Sequence, residues 1–365
     1  MTPRRRRKNK SSARLEILIG VLALILAAAL VVAFQMSQEL QDPTLSTTTP
    51  TPTETEPQPT QTEPKPTDPI QTGWVELDGK RYYYGEDGAL RTGVQTIEGA
   101  IYCFGSDGAQ LGEGWQDVDG DRYYITAGGT AHVGWLELEE ERYYLRTDGR
   151  MARGAVEIEG VKWFFTSAGC QVYMVNPWNY VPEGYEANLI PLSTSISSTS
   201  DSGAVDASCY EALMNMMNDC AKAGYKVCIL SSHRLHTYQE KLFENQVKKQ
   251  MDKGYSREEA EVIAATISAI PGTSEHQLGL AVDIIDTQIW GLVEEQEDLA
   301  GQQWLMEHCH EYGFILRYPK GKTDETGIIY EPWHYRYVGV ALATELHQLD
   351  MTLEAYISSL SETVI

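Results

Sequence analysis

The 365-residue sequence has no C-x-x-C pair among its six cysteines, and this absence argues against a cysteine-based zinc knuckle. Basic residues are also scarce beyond the N-terminus. The chain has 52 acidic side chains against 29 Lys and Arg, a formal net charge of −23. Seven of those 29 basic residues lie within residues 1–14, which leaves 22 for the rest of the chain. So acidic a chain lacks the positive surface that nucleic-acid binding requires, and we expect no nucleic-acid partner.

Long apolar runs are absent except for one. Residues 17–34 contain no charged side chain, and 18 residues are just long enough to cross a hydrocarbon core of about 30 Å. Basic residues flank this run on its N-terminal side, which predicts a cytoplasmic tail over 1–16 and a transmembrane anchor over 17–36. A cleaved signal peptide is the alternative, but the run exceeds the usual 7–15 residues. The prediction is a single-pass protein of the cell membrane with its remaining domains outside the cell.

Residues 37–71 lack the apolar side chains needed for a core. The stretch 41–70 contains eight prolines and ten threonines, with almost no large apolar residue after Leu45. Such a composition cannot bury enough surface to fold, and its prolines favour an extended polyproline conformation. We therefore interpret residues 37–71 as a linker that holds the exported domains away from the membrane.

A repeat of 20 or 21 residues occupies residues 72–173. Its second turn glycines keep this spacing in five copies: Gly88, Gly108, Gly129, Gly149 and Gly169. Three copies begin with a tryptophan, whereas Val94 and Ala155 begin the two weaker ones. Asp-Gly or Glu-Gly pairs separate short aromatic runs in most copies, which is typical of β-hairpins. One hairpin cannot bury its own apolar face, so the spacing predicts five hairpins stacked into a solenoid.

The repeat pattern ends near residue 176. Asp206 is placed to cap a helix over 207–223, and a buried strand is expected over 226–230. Ser256 and Glu259 form a capping box for a helix that we expect to run to about residue 269. A half-buried strand over 280–285 and a helix over 302–312, ended by Gly313, complete the pattern. Helices and short strands are intermixed, without the regular strand–helix–strand order of βαβ units, which indicates the α+β class.

Two segments of this region carry residues suited to metal chemistry. His276 precedes Asp283, whose carboxylate lies on an apolar strand, and Glu331-Pro-Trp-His334 follows downstream. Two histidines and one carboxylate would leave one position open on a tetrahedral zinc, and Glu331 would suit a general base for water. Taken singly, these residues are also compatible with satisfied core side chains.

Three longer stretches together resemble the zinc D-alanyl-D-alanine carboxypeptidases of the VanY type. They are SSHRLHTYQ (231–239), PGTSEHQLGLAVDI (271–284) and GFILRYPKGKTDETGIIYEPWHYRYVG (313–339). The resemblance spans residues 188–345 and predicts a carboxypeptidase domain over 176–365, with a small antiparallel sheet and flanking helices. It implies a Zn²⁺ cofactor held by His276, Asp283 and His334.

The same resemblance implies roles for four further residues. Glu331 would activate water, and Arg234 would stabilise the oxyanion or hold the terminal carboxylate of the substrate. Ser274 and Gln239 match positions of substrate contact. The family commonly has S-G-Y-R where this chain has Ser-Ser-His-Arg, and we interpret the histidine, His233, as a neutral surface substitution rather than a fourth neighbour of the metal.

The repeats resemble the cell-wall-binding repeats of choline-binding and glucan-binding surface proteins, which implies choline or a polysaccharide as ligand. Together the two resemblances predict a zinc peptidase that removes the terminal D-Ala from peptidoglycan stem peptides. Three alternatives stay open: an L,D-carboxypeptidase, an endopeptidase, and an inactive wall-binding protein.

Overall fold

The computed structural model describes residues 71–139, 141–193 and 203–361. The predicted cytoplasmic tail and membrane anchor, and all but the last residue of the predicted linker, lie outside these ranges. Among the described residues, no helix has the length and apolar composition needed to cross a membrane.

Five β-hairpins of similar size follow one another at the start of the described chain. Their strands are β1 Gly73–Leu77, β2 Lys80–Tyr84, β3 Gly93–Ile97, β4 Ala100–Phe104, β5 Gly114–Val118, β6 Asp121–Ile125, β7 Gly134–Leu138, β8 Glu141–Leu145, β9 Gly154–Ile158 and β10 Val161–Phe165. The first hairpin turns at Asp78 and Gly79, whose φ angles of 51° and 74° are both left-handed. Two consecutive left-handed residues make the tight turn that matches strand twist, which explains the Asp-Gly signal.

Backbone hydrogen bonds join consecutive hairpins. The residue that follows one hairpin donates its N–H to the second strand of the hairpin before it. The three bonds run from Gln110 to Arg81, from Ala131 to Ile101 and from Met151 to Arg122, each at 2.8 Å. The first four hairpins therefore stack, as the repeat spacing predicts.

The fifth hairpin packs on two sides. Its Ile158 and Phe165 share a buried cluster with Trp135 and Tyr144 of the fourth hairpin, and the hairpin also contributes to the core of the following domain. A short strand β11, Gln171–Val172, pairs with β10. Phe164 and Val172 share a buried cluster with Leu346, Leu353 and Tyr356 near the C-terminus. The predicted division near residues 173–176 therefore does not separate two independent cores.

The C-terminal part is a four-stranded antiparallel sheet surrounded by helices, as expected for α+β. This part of the chain contains six strands in two sheets: β12 Leu189–Pro191, β13 Ala204–Asp206, β14 Val227–Ser231, β15 Ala281–Asp286, β16 Phe314–Leu316 and β17 His334–Tyr337. The main sheet has the order β14-β15-β17-β16, and β12 pairs with β13. All six residues of β15 are buried. The expectation of a half-buried strand was wrong, because this strand lies inside the sheet and is covered on both faces.

Within the described residues, seven helices flank the sheet, together with 3₁₀ turns that include Glu275–Leu278, Glu294–Asp298 and Cys309–Tyr312. They are α1 Ala207–Lys222, α2 His236–Met251, α3 Arg257–Ala265, α4 Ala300–His308, α5 Thr323–Thr326, α6 Val340–Leu349 and α7 Leu353–Ser361. Asp206 caps α1, and Ser256 forms the predicted capping box of α3. Helix α3 ends at Ala265 rather than near residue 269, since tight turns at Thr266 and Ile267 follow it. Helix α2 was not predicted, because it buries few of its residues and those include the polar Gln239 and Gln250.

Candidate metal centre

The sheet register brings the predicted metal ligands together. Asp283 lies on β15 directly opposite Ser231 of β14 on one side and His334 of β17 on the other. His276 comes from the 3₁₀ turn Glu275–Leu278 immediately before β15. Residues that are far apart in the chain therefore meet at one point because adjacent strands hold them in register.

The three side chains form a compact buried cluster. The Oδ2 atom of Asp283 lies 3.2 Å from Nε2 of His276, and its Oδ1 atom lies 3.1 Å from Nδ1 of His334. Ligand atoms of the three residues all lie within 4.8 Å of one another. Within the described part of the chain, this is the one group of its kind that could hold a metal ion.

The donor set and spacing fit zinc. Tetrahedral zinc bonds of about 2.1 Å separate ligand atoms by about 3.4 Å. The distances of 3.2 and 3.1 Å from the two histidines, each to a different oxygen of Asp283, are close to this value. Asp283 Oδ1 is buried without a hydrogen-bond partner, which a cation would satisfy. His276 Nδ1 lies 2.7 Å from the carbonyl oxygen of Ser232, and donation to that oxygen leaves Nε2 free as a ligand atom.

A buried network of charged side chains contacts the cluster on the side of His334. The sequence did not predict this network. Glu275 lies with Oε2 3.7 Å from Nε2 of His334. Its Oε1 atom accepts a hydrogen bond from Nε of Arg317 and lies 2.8 Å from Nη1 of Arg336. Arg317 also donates to Glu354 of α7. The one sequence signal for this network was the position of Glu275 next to the predicted ligand His276. No neighbouring residue in the sequence distinguished Glu275 from a solvent-exposed acid.

The pKa values of the carboxyl groups at the cluster depend on whether a cation is bound. Burial raises the pKa of Glu331 to about 8, and the charge of Asp283 adds to this effect while His334 and Arg234 oppose it. Burial also disfavours charge on Asp283, but the neighbouring histidines outweigh it and hold the pKa of that carboxyl well below its usual range. A cation beside Asp283 would lower the pKa of Glu331 by direct attraction and favour the basic form.

Arg234 lies at the edge of the cluster in a fixed orientation. Its Nη1 atom donates to Gln239 Oε1 and its Nη2 atom donates to Ser231 Oγ, both at 2.8 Å, and Nη2 lies 3.5 Å from Asp283 Oδ2. Gln239 is fully buried, and its amide nitrogen donates to the carbonyl of Ala269. From this position Gln239 orients the guanidinium of Arg234. The predicted contact between Gln239 and the substrate stays a prediction.

His233 is buried rather than exposed, so the expectation of a surface substitution was wrong. Its backbone N–H donates to the carbonyl of Ala204 on β13, which ties this segment to that strand. His233 is not part of the metal cluster.

The cluster opens into a cleft of about 480 Å³. Arg234, Ser274 and Glu331 line it together with the three predicted ligands. Polar side chains of α2 form another wall: Asn245, Gln246, Lys248 and Lys249. The cleft therefore has room for several residues of a peptide beside the metal cluster.

Comparison with known proteins finds matches for two parts of the chain. Residues 203–340 match the family model VanY, D-alanyl-D-alanine carboxypeptidase, and residues 72–90 match a cell wall binding repeat of the choline-binding kind. A D-alanyl-D-alanine carboxypeptidase from Enterococcus faecalis is 35% identical over 186 residues, which are 51% of this chain and 65% of that protein. The chain spans about half the length of three other curated relatives that it matches.

Solved structures are similar over the same region. VanYB in complex with D-alanine-D-alanine is 35% identical, with 51% of this chain and 96% of that chain covered and a TM-score of 0.45. The LdcB LD-carboxypeptidase is 32% identical, with 51% and 85% covered and a TM-score of 0.45. The family matches confirm both resemblances: the chain carries a VanY-type D-alanyl-D-alanine carboxypeptidase domain over residues 203–340, preceded by a cell wall binding repeat over residues 72–90.

Proposed function

We propose that this protein is a zinc-dependent carboxypeptidase that removes the terminal D-Ala from peptidoglycan stem peptides. The observation that carries the proposal is the buried His276–Asp283–His334 cluster, which opens into one cleft with Glu331 and Arg234. Zinc held by these ligands would act as a Lewis acid, which lowers the pKa of water and polarises the scissile carbonyl.

The remaining chemistry falls to the side chains around the cluster. Hydrolysis forms a bond between a water oxygen and the carbonyl carbon and breaks the C–N bond to the last residue. Glu331 accepts the proton that the water loses and delivers it to the departing amine, which leaves as D-alanine. Arg234 offers a fixed guanidinium to the negative charge of the substrate, either the terminal carboxylate or the developing oxyanion.

The repeats support a location at the cell wall. We propose that they contact choline or a polysaccharide and so raise the local concentration of the peptidase near its substrate. The apolar run over residues 17–36 would anchor the chain in the membrane with its N-terminus in the cytoplasm. Protease accessibility of each end in intact cells tests this orientation, and digestion of the catalytic domain only after lysis would overturn it.

The activity test uses muropeptides that end in D-Ala-D-Ala and, separately, tetrapeptides, with the released residues identified by mass spectrometry. Loss of one alanine from the pentapeptide alone, abolished by a chelator and by Glu331→Gln, is the expected result. Release from the tetrapeptide alone would assign an L,D-carboxypeptidase, and cleavage of cross-linked dimers alone an endopeptidase. No release from any substrate with zinc bound would assign an inactive wall-binding protein.

A further inference from the structure

Two exposed aromatic side chains, Trp178 and Tyr180, follow the last predicted repeat. Each residue is 61% exposed, and neither belongs to a buried apolar cluster of the described residues. Both lie outside the ranges that the two family models match. Large aromatic side chains that are exposed close together are typical of a binding surface, and the packing of the domain does not account for this aromatic pair.

A hydrogen-bonded turn fixes the backbone of the aromatic pair. Asn176 and Asn179 exchange two backbone hydrogen bonds of 3.0 Å. The side-chain oxygen of Asn176 accepts from the N–H of Trp178, and its amide nitrogen donates to Glu354. Glu354 also accepts from Arg317 of the buried network of charged side chains. Because the turn is already ordered, a ligand would lose little free energy in ordering it.

Tyr180 packs on the loop that leads to the predicted ligand His276. A Cβ atom at Gly272 would lie 3.0 Å from Cδ1 of Tyr180, so the ring lies directly on this glycine. Ser274, two residues further along, lines the cleft of the metal cluster. Four residues of extended chain span at most about 14 Å, which is the largest separation between Gly272 and His276. Tyr180 therefore lies close to the cleft.

Trp178 packs on a second loop beside the same cleft. A Cβ atom at Gly327 would lie 3.4 Å from Cη2 of Trp178. The next residue, Ile328, lines the cleft. The aromatic pair therefore lies against two loops that both continue into the walls of the cleft, while most of each ring stays exposed.

A groove of about 220 Å³ lies between the aromatic pair and the fifth hairpin. Trp178 and Tyr180 line it together with the polar side chains of Lys162, Gln171 and Asn179. Among the described residues, the amide nitrogen of Gln171 is buried without a hydrogen-bond partner, and a ligand oxygen would satisfy it. Aromatic faces with a few polar groups suit a sugar ring, whose C–H faces pack on aromatic rings while its hydroxyl and amide groups form hydrogen bonds.

We propose that this groove binds an N-acetylated sugar of the glycan strand to which the stem peptide is attached. Four residues of the stem peptide separate that sugar from the terminal D-Ala, a reach of about 14 Å when extended. This reach equals the largest separation of Gly272 from His276, so one substrate can occupy the groove and the cleft together. Binding of the sugar then raises the local concentration of the peptide at the cleft. The inference rests on the proposed function, which supplies the sugar-linked substrate.

The variants remove one aromatic face at a time. Trp178→Ala and Tyr180→Ala should each weaken sugar binding by about two- to tenfold, the size of one aromatic contact. Trp178→Phe keeps a smaller ring and should keep part of the affinity, and it guards against a loss of folding in the alanine variant. Trp290→Ala is the matched control, because Trp290 is 63% exposed but does not line the groove.

The first measurement titrates the full chain, by calorimetry, with the disaccharide of N-acetylglucosamine and N-acetylmuramic acid without any peptide. We expect binding by the wild type and by Trp290→Ala, and weaker binding by Trp178→Ala and Tyr180→Ala. Equal affinity in all variants would place the sugar on another surface, such as the repeats, and would overturn the proposal. Absence of binding by the wild type would overturn it as well.

The second measurement compares hydrolysis of a pentapeptide linked to this disaccharide with hydrolysis of the free pentapeptide. The wild type should have a higher kcat/KM for the linked peptide because of a lower KM, and this preference should shrink in Trp178→Ala and Tyr180→Ala. Equal hydrolysis of both substrates by the wild type would overturn the sugar site and leave the peptidase proposal intact. Hydrolysis of neither would overturn the peptidase proposal, while the titration without peptide would still decide on the groove.

Discussion

The stacked hairpins and the carboxypeptidase domain differ in how far along the chain their contacts reach. Each hairpin closes through partners only a few residues apart, as with Leu77 and Lys80. The metal cluster instead requires β14, β15 and β17 to pair in register over more than 100 residues. Contacts within a hairpin recur at the repeat spacing, so a fixed period in the sequence predicts them. A site assembled from distant strands produces no such period.

The fifth hairpin shows that this division is not absolute. It has the sequence pattern of a repeat, yet it packs against α7 and shares a core with the C-terminal helices. The N–H groups of Ala155 and Ser167 donate to the hydroxyls of Ser361 and Tyr356 respectively. This hairpin is thus a repeat by sequence, and by packing it belongs both to the hairpin stack and to the carboxypeptidase domain.

The largest effect on stability is expected from the buried ion network, which the hairpins lack. Glu275→Gln would leave the buried Arg317 and Arg336 without full compensation, and breaking such a network costs about 3–5 kcal/mol in free energy of unfolding. Glu297→Gln, which breaks an exposed pair with Lys320, is the control and should have a far smaller effect, because water screens exposed charges. Chemical denaturation measures both, and equal effects would contradict the comparison.

The next largest effect is kinetic and tests the fixed guanidinium in the cleft. Arg234→Lys keeps the charge but cannot make both hydrogen bonds to Ser231 and Gln239 in the same geometry. We expect kcat/KM to fall about 10²- to 10³-fold. A rise in KM alone would indicate contact with the terminal carboxylate, and a fall in kcat would indicate the oxyanion. Arg257→Lys on the surface should leave both constants unchanged, and an unchanged Arg234→Lys enzyme would exclude either role.

A smaller effect should distinguish the fifth hairpin from the first. The hydroxyl of Tyr356 accepts from the backbone of Ser167 and donates to Glu345. Tyr356→Phe removes both contacts and should lower the free energy of unfolding by about 1–3 kcal/mol. Tyr82→Phe in the first hairpin is the control. Hydrogen exchange should accelerate in β9 and β10 only for Tyr356→Phe, and equal exchange in the two variants would argue against a shared core.

The smallest effect is expected at a hairpin turn. Glu98 adopts a left-handed φ of 52°, which asparagine accommodates better than glutamate. Glu98→Asn should therefore raise the free energy of unfolding by no more than about 0.5 kcal/mol and leave hydrolysis unchanged. Thermal unfolding checks the sign, and a clear destabilisation would show that the turn is constrained by contacts beyond its own hairpin.

Much of the fold was predictable where the signal is local. Turn glycines predicted the hairpins, and Asp206 and the Ser256–Glu259 pair predicted the starts of α1 and α3. Helix α2 was not predicted, because two of its buried residues, Gln239 and Gln250, are polar and leave no apolar period in the sequence. The motifs also predicted which side chains would meet at the cluster, but Glu275 was missed, since a buried acid is distinguished only by Arg317 and Arg336 beside it.

The sequence by itself determined the hairpin period, the α+β pattern and the family motifs, because each depends on residues close together in the chain. Tertiary structure alone decided that Glu275 is an internal counter-ion and that Gln239 accepts a hydrogen bond from Arg234 and so orients it. These assignments depend on which charged and polar groups face one another across separate elements. That information exists only once the strands have paired and water has been excluded between them.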